Sequence, residues 1–418
     1  MKNHDRHYEA KIVIALMLLW GFVGFNRIGI TYLFPILIKQ FKMANWQVAA
    51  LVSGTSITWA LSSWLGGVLG DKHGKRKVLL WFMSIALVVS TAIGGAWSFL
   101  SMFVVRDLLG LADGAGWSIG EAVVAIESAP SRRGINQSLF SAGYTLVGAG
   151  LGAYVVTHLA TRFGWRMVFP IFSLFGLIVV IILAKVMREP VILSAGPRSN
   201  QPQEKRDFNY YMSFLKNKQV IKGIFLCIFI LTWLQVSLTF NTLFLTKVKG
   251  LSLNLAGNIQ SMWGLWAFAG QLIMPFISDR IGRRPVVVIS ALLSAVAVFA
   301  GIYAASSYAS LALAYSANGF FGWGLLSIGM ATVVSEMVKP EERTVALGIT
   351  NFFGVIIGTA VLPILGGVIA DHYGLAKEAV IPGFAMIITA VTMLFIPETA
   401  PRIMARRNLL PTPPVSGK

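Results

Sequence analysis

The sequence predicts an all-α membrane protein, with twelve transmembrane helices in two pseudo-symmetric six-helix bundles. Three observations carry this. Only 12% of the 418 residues are charged while 56% are hydrophobic. That is about half the charge of a soluble chain, so the solvent for most of the surface is lipid. Apolar stretches of about 20 residues recur from end to end, each able to cross a hydrocarbon core about 30 Å thick. Finally, a charged turn occurs twice. GGVLGDKHGKRKVLL at 66–80 is echoed by MPFISDRIGRRPVVV at 274–288, with Asp71 and Asp279, Gly74 and Gly282, and Arg76 and Arg284 each 208 residues apart.

The spans of the first half lie near 12–37, 46–70, 78–97, 99–129, 134–158 and 165–186. Those of the second lie near 220–246, 254–277, 285–304, 308–337, 343–370 and 379–396. Between them, MREPVILSAGPRSNQPQEKRDFNYYMSFLKNK at 187–218 is the one long polar interruption. Its Pro, Ser, Asn, Gln and mixed charge suit a flexible linker rather than a folded domain. The expected division is a bundle at 1–186, the linker at 187–218, a second bundle at 219–398 and a tail at 399–418. The repeat reaches beyond the charged turn. REP at 188–190 closes one half as IPET at 396–399 closes the other, and Gly110 aligns with Asn318, beside Gly319.

Composition also removes several classes of function. No short apolar segment with a small-residue cleavage site opens the chain, so no removable signal peptide is expected. The single Cys227 lies in a predicted span and forms no disulfide framework or cysteine-rich metal site. The five histidines, at 4, 7, 73, 158 and 372, make no close helical pair. With no nucleophile–base or metal constellation, no catalytic residue, metal or cofactor is expected, and the chain reads as a non-enzyme. The net charge of +18 invites a nucleic-acid reading. With the N-terminus inside, however, 26 of the 35 Lys and Arg fall in cytoplasmic segments, seven in outer loops, and two, Arg27 and Arg106, within spans. That bias sets membrane orientation and attracts anionic lipid. It places both termini in the cytoplasm of a cell membrane and gives no reason to expect nucleic acid.

Charges deep in a membrane cost roughly 2.5–3.5 kcal/mol each on insertion scales and are functional by default. Arg27, in GFNRIGITYLFP, lies about 22 Å from the inner end of the first span at about 1.5 Å per residue. The fourth span, VVRDLLGLADGAGWSIGEAVVAIE, runs the other way. It puts Arg106 about 10 Å from its outer end and Asp113 two turns further on, along the same face. Arg27 and Arg106 therefore share a level and can point into a central cavity, where each guanidinium can hold a carboxylate bidentately. Asp113 suits proton handling. Burial disfavours its charge and the arginines favour it, so its protonation should follow the arrival of an anion. A structural salt bridge between the first and fourth spans is the plainer alternative.

Asp107 lies about 100° around the helix from Arg106 and should face another helix, as a second candidate for the proton. Glu121 and Glu127 read as gate partners of loop arginines, and His158 as a solvated or capping residue. The second half has only amides, hydroxyls and aromatics in mid-span, among them Gln235, Asn241, Gln260, Trp263, Gln271, Asn318, Trp323 and Asn351. The asymmetry suggests that the first half handles the proton and the carboxylate. The second half would read the rest of the ligand, with Gln235, Asn241 and Asn351 as candidate contacts beside Asn26 of the first half, although packing between helices is the commoner use of such amides.

A duplicated six-helix unit joined by a cytoplasmic loop, with the paired turn motif, resembles the major facilitator superfamily over essentially the full length. The residues that carry the likeness are Gly67, Leu69, Asp71, Lys72, Gly74, Lys75 and Arg76, with counterparts Asp279, Arg280, Gly282, Arg283 and Arg284. The glycines allow a tight turn. The Asp71 carboxylate can face basic residues or a neighbouring helix N-terminus, as a latch that must break in each cycle. The resemblance implies that Asp71 and Arg76 stabilise the outward-open state. NRIGITYLFP, RDLLGLADGAGW and GWRMVF narrow the likeness to the anion:cation symporters, proton-coupled importers of organic anions such as sugar acids. That likeness implies anion binding by Arg27, proton carriage by Asp113, and alternating access by a functional monomer in a bacterial inner membrane. The family usually has Asp-Arg where this chain has Asn26-Arg27, and Glu in place of Asp113, which removes one of two expected proton sites. A proton-coupled drug or metabolite exporter of the same fold would usually carry a proline in the fifth span, whereas GYTLVGAGLGAY has none. A membrane sensor would usually add a signalling domain, for which the tails and linker are too short.

Overall fold

The computed structural model describes residues 5–190 and 208–406. The middle of the expected linker, 191–207, and the end of the expected tail, 407–418, lie outside the described residues. Among the described residues, eleven helical segments are long and apolar enough to cross a membrane. They are α1 Arg6–Phe41, α2 Asn45–His73, α3 Lys75–Gly95, α4 Phe99–Glu127, α5 Arg133–Phe163 and α6 Trp165–Val186 in the first half. In the second are α7 Lys218–Val248, α9 Arg283–Ala304, α10 Tyr308–Glu336, α11 Pro340–Tyr373 and α12 Leu375–Leu394. The intervening α8, Leu253–Ile281, has 29 residues and is equally long, but Asn254, Asn258, Gln260, Gln271, Asp279 and Arg280 dilute its hydropathy. The outer faces expose large apolar side chains such as Trp64, Trp81, Leu174, Phe276 and Val296. A chain whose solvent is lipid has no reason to hide them.

The twofold repeat is visible in backbone geometry. α2 ends at Gly74 (φ 95°) and α8 at Gly282 (φ 121°), a conformation that a side chain disfavours, and α3 and α9 start at the next residue. α5 carries a π-helical segment at Tyr144–Leu151, and its counterpart α11 carries one at Gly354–Val361. Small residues let helices meet at backbone distance. A Cβ on Gly114 of α4 would sit 2.5 Å from the Trp59 carbonyl of α2. In the second half, Gly319 of α10 lies directly against the Trp263 backbone of α8.

α1 is not a uniform helix. Pro35 cannot donate to the carbonyl four residues back, and the preceding turn tightens into a 3₁₀ segment at Gly29–Leu33 before the helix resumes at Phe34–Phe41. Arg27 lies just before this change of pitch.

Contacts between the two halves gather in the middle of the bundle and at the end remote from the 71–76 turn. At that far end Asp371 of α11 accepts from Asn45 N (2.8 Å), Asn45 Nδ2 (2.8 Å) and Trp46 N (3.1 Å), the start of α2. Thr161 of α5 donates to Asn254 of α8 at 3.1 Å. Nearer the middle, Ser53 Oγ donates to the carbonyls of Thr359 (3.2 Å) and Ala360 (3.0 Å). Thr145 donates to Gln271 at 3.1 Å.

Candidate functional site: a guanidinium cavity between the halves

A small cavity lies where α1, α2, α4, α5 and α7 converge. It is lined by Arg27, Thr31, Thr55, Ser56, Arg106, Tyr144 and Gln235, with Ile28, Val52 and Leu238 as its apolar share. Of the residues expected from the sequence, it unites Arg27, Arg106 and Gln235, the last contributed by the second half.

The two arginines do different work. The Arg27 guanidinium sits over the Trp59 ring, 4.5 Å from its centroid, and Nη2 donates a long 3.4 Å bond to Ser56 Oγ. It is only partly buried, and most of its N–H groups are not engaged by the protein. Arg106 is fully buried, and its terminal nitrogens donate to backbone carbonyls, Nη1 to Asn26 O at 2.6 Å and Nη2 to Arg27 O at 3.0 Å. The sequence reading gives Arg106 a carboxylate to hold. The structure instead commits both ends of its fork to α1, next to the 3₁₀ segment. Arg106 thus fixes the backbone from which Arg27 projects.

Asp113 lies two turns along α4 from Arg106, fully buried, with no hydrogen-bond partner among the described residues on either carboxylate oxygen. Arg27 and Arg106 are the charges that act on it. A direct ion pair between α1 and α4 through Asp113, the plainer expectation, is not formed, because Arg106 already makes that tie through carbonyls. Asp107 does face another helix. Its Oδ1 lies against Gly54 of α2, 2.6 Å from where a Cβ would stand.

The candidate amides disperse. Asn26 is fully buried and its Oδ1 accepts from Ser90 Oγ of α3 at 2.7 Å, so its side chain points away from the cavity. Asn241 lines a separate cavity within the second half, with Asn318, Tyr315 and Glu378. Asn318 is held by Trp263 Nε1 (2.7 Å) and Ser294 Oγ (3.0 Å), as packing between helices requires. Asn351 lines neither cavity. His158 bonds the Tyr154 carbonyl through Nδ1 at 2.9 Å, a local tether. The loop guanidinium of Arg132 goes to Glu9 of α1, 3.1 Å from Nε and 2.5 Å from Nη2.

The turn motif is a pair of matched clamps. Asp71 forms an ion pair with Lys75, and Asp279 with Arg283 at 2.5 Å. The carboxylate facing a helix N-terminus is not Asp71 but Glu189, which accepts from Lys75 N (2.6 Å) and Arg76 N (3.1 Å). Glu398 does the same for Arg283 N (2.7 Å) and Arg284 N (3.2 Å). Arg76 reaches the Ala184 carbonyl and Arg284 the Leu394 carbonyl, each at 2.6 Å. Asp71, Gly74 and Arg76 therefore bind α2, α3 and α6 of one half together, and Asp279 and Arg283 bind α8, α9 and the segment after α12 in the other. The second clamp is larger, since Arg283 also meets Glu336 of α10 at 3.3 Å.

Sequence reasoning missed Tyr144 and Trp59, which looked like ordinary core aromatics, and the capping roles of Glu189 and Glu398, which only the REP and IPET repeat could have suggested. It also missed Glu378, fully buried with both oxygens unpartnered, because its position at the start of a span reads as loop.

The sequence profile of the Major Facilitator Superfamily matches residues 16–276 and 225–414. A probable 4-methylmuconolactone transporter of Cupriavidus pinatubonensis is 26% identical, over 86% of this chain and 83% of its own length. The hexuronate transporter of Bacillus subtilis is 24% identical, over 87% and 88%. Among solved structures, the D-xylose-proton symporter superposes with a TM-score of 0.75 at 17% identity, covering 94% of this chain and 99% of that one. The chain belongs to the Major Facilitator Superfamily. It is a multi-pass membrane transporter rather than an enzyme, with relatives named for the transport of 4-methylmuconolactone and of hexuronate.

Proposed function

We propose that this transporter imports a small organic carboxylate together with a proton, by alternating access of its two halves. The observation that carries the reading is Asp113, a fully buried carboxylate with no hydrogen-bond partner among the described residues, acted on by two arginines of which only one has its fork free. An uncompensated carboxylate in low dielectric is costly as an anion, and a carboxylate ligand on Arg27 would remove part of what keeps it charged. Arrival of the substrate therefore favours proton uptake at Asp113, and departure of either favours release of the other. That linkage is what co-transport requires. The relatives' sugar-acid and lactone cargoes agree with an anionic substrate.

In this reading Arg27 takes the carboxylate, Arg106 positions Arg27, and Gln235 contributes from the second half. Asn26 braces α3 through Ser90, and Asn241 and Asn351 lie outside this cavity. The Asp71–Gly74–Arg76 and Asp279–Arg283 clamps hold each half rigid at the cytoplasmic end while the halves rock about the cavity. The contacts at the opposite end hold the two halves together on that side. Both termini lie in the cytoplasm of a bacterial inner membrane, in accord with the bias of the basic residues, and the monomer carries the whole path. The two bundles meet the linker at about 186 and 219.

The test is uptake into proteoliposomes across a panel of labelled carboxylates, with and without a pH gradient, acid outside. Concentrative uptake of an anion that collapses with the gradient is the expected result. Saturable uptake of a neutral sugar or a cation, unaffected by carboxylates, would overturn the anion reading, and gradient-independent accumulation would overturn the proton.

A further inference from the structure

The second half holds a buried carboxylate of its own, which the transport scheme leaves unused. Glu378, at the start of α12, is fully buried, and neither of its oxygens has a hydrogen-bond partner among the described residues. It lines the cavity within the second half, together with Ser237 and Asn241 of α7 and Tyr315 and Asn318 of α10. Its charge acts on Tyr315, yet no hydrogen bond joins the two, so they are neighbours with a gap between them. On the α11 side it meets Gly366, which has no side chain to offer; a Cβ there would stand 3.8 Å from Glu378 Oε1.

No side-chain cation compensates this carboxylate, since no charged group among the described residues acts on it. Lys249 lies over the Phe244 ring, another wall of the cavity, but its ammonium donates to the carbonyls of Ile302 (2.9 Å) and Ala305 (2.8 Å). A buried anion left alone is costly. A proton would cancel the charge but leave a new O–H donor and a carbonyl with nothing to bond. A hard metal cation meets both needs, because it neutralises the charge and takes oxygens as ligands. The wall supplies further oxygens of that kind, the hydroxyls of Ser237 and Tyr315 and the amide of Asn241. Asn318 is already held by Trp263 and Ser294 and braces the wall. One carboxylate balances one positive charge, and the described residues hold no cluster of three His, Cys, Asp or Glu such as a multivalent metal would want. The free volume, about 30 Å³, has room for an ion and about one water, and none for an organic cation.

We propose that this cavity is a site for a single monovalent cation of the size of sodium, held by Glu378 with the oxygens of Ser237, Asn241 and Tyr315. Tyr315 lies seven residues into α10 and Asn241 seven residues before the end of α7, which puts the site about 10 Å from the end remote from the 71–76 turn. It is separate from Asp113, which belongs to the other half. α7 lines both cavities, with Gln235 in the one beside Arg27 and Ser237 and Asn241 in this one.

The test needs no substrate, so it stands or falls apart from the carboxylate reading. Thermal unfolding of the purified full-length protein is followed while sodium chloride replaces choline chloride at constant ionic strength and neutral pH. The parent should show a saturable rise in melting temperature of about 2 °C or more. Glu378→Gln keeps the shape and removes the charge, and should abolish the response to sodium. Tyr315→Phe keeps every charge and removes one ligand oxygen, and should raise the sodium concentration at half effect about 10-fold. It serves as the second variant if Glu378→Gln does not fold. A parent that melts at the same temperature in sodium and in choline would overturn the proposal. So would a sodium response that Glu378→Gln retains, or a half-effect concentration that Tyr315→Phe leaves unchanged, since the ion would then lie elsewhere. A melting temperature that follows pH but not sodium would overturn it as well, by making Glu378 a proton site.

Discussion

The far-end closure through Asp371 is a joint whose strength can be worked out. One carboxylate accepts three N–H groups from the first residues of α2, at 2.8, 2.8 and 3.1 Å, and it does so across the two halves. All three bonds are exposed to water, so the low end of the usual range applies, about 0.5 kcal/mol each. A negative charge at a helix N-terminus adds about 0.3–1 kcal/mol. Together these come to about 2 kcal/mol, close to a 30-fold bias toward the state closed at that end. Asp371→Ala should remove all of it. Asp371→Asn keeps one acceptor but turns an amide N–H toward another N–H, and should lose about half or more. The assay is a distance distribution between spin labels at Lys39→Cys on α1 and Tyr373→Cys on α11, both exposed sites, in a background where the single Cys227 is replaced. The account expects the alanine variant to gain a longer-distance population that the parent lacks, and the asparagine variant to fall between. An unchanged distribution in the alanine variant would refute the reasoning, because the closure would then owe nothing measurable to Asp371.

Arg27→Lys and Arg106→Lys should part company. The first should weaken substrate binding at least 10-fold with little change in melting temperature, since a point charge cannot reproduce a bidentate fork; the second should lower the melting temperature, because two bonds from a buried charged donor to α1 are disturbed. Near-normal affinity in the Arg27 variant would count against carboxylate recognition there. Gly74→Ala and Gly282→Ala should each destabilise by about 1–3 kcal/mol through backbone strain. The second should cost more, since a Cβ at 282 would stand 2.5 Å from Glu398 Oε2 against 3.1 Å from Glu189 at position 74; equal or reversed losses in thermal unfolding of the two variants side by side would contradict this.

The fold was legible because lipid enforces it. Spans must be long and apolar, and the 208-residue echo of Asp71, Gly74 and Arg76 pairs the halves before any contact is known. The face shared by Arg106 and Asp113 was legible too, since seven residues make two turns. The partners of Arg106 were not. They depend on carbonyls beside the 3₁₀ turn that Pro35 imposes on α1, and no residue type marks a carbonyl as available. Asn26 looked like a ligand residue because it precedes Arg27. One step along a helix is about 100° of rotation, however, and that turns it to Ser90 instead. Asn241 is likewise rotated into the cavity of Glu378. The aromatic neighbours of Arg27 were hidden for a different reason. Trp59 and Tyr144 are far apart in sequence and each alone reads as core.

The central claim is that Asp113 couples proton movement to substrate movement, and Asp113→Asn tests it most directly. The amide keeps the size and hydrogen bonding of the protonated carboxyl but neither takes up nor releases a proton. Proteoliposomes holding the variant should bind the carboxylate and catalyse counterflow exchange, which needs no net proton transfer. They should fail to concentrate substrate when the outside is made acid, whereas the parent accumulates more as the outer pH falls. Full gradient-driven accumulation by the variant would contradict the account and move the proton to another carboxylate, Asp107 first. Loss of exchange and binding together would contradict it as well, by making Asp113 a structural residue.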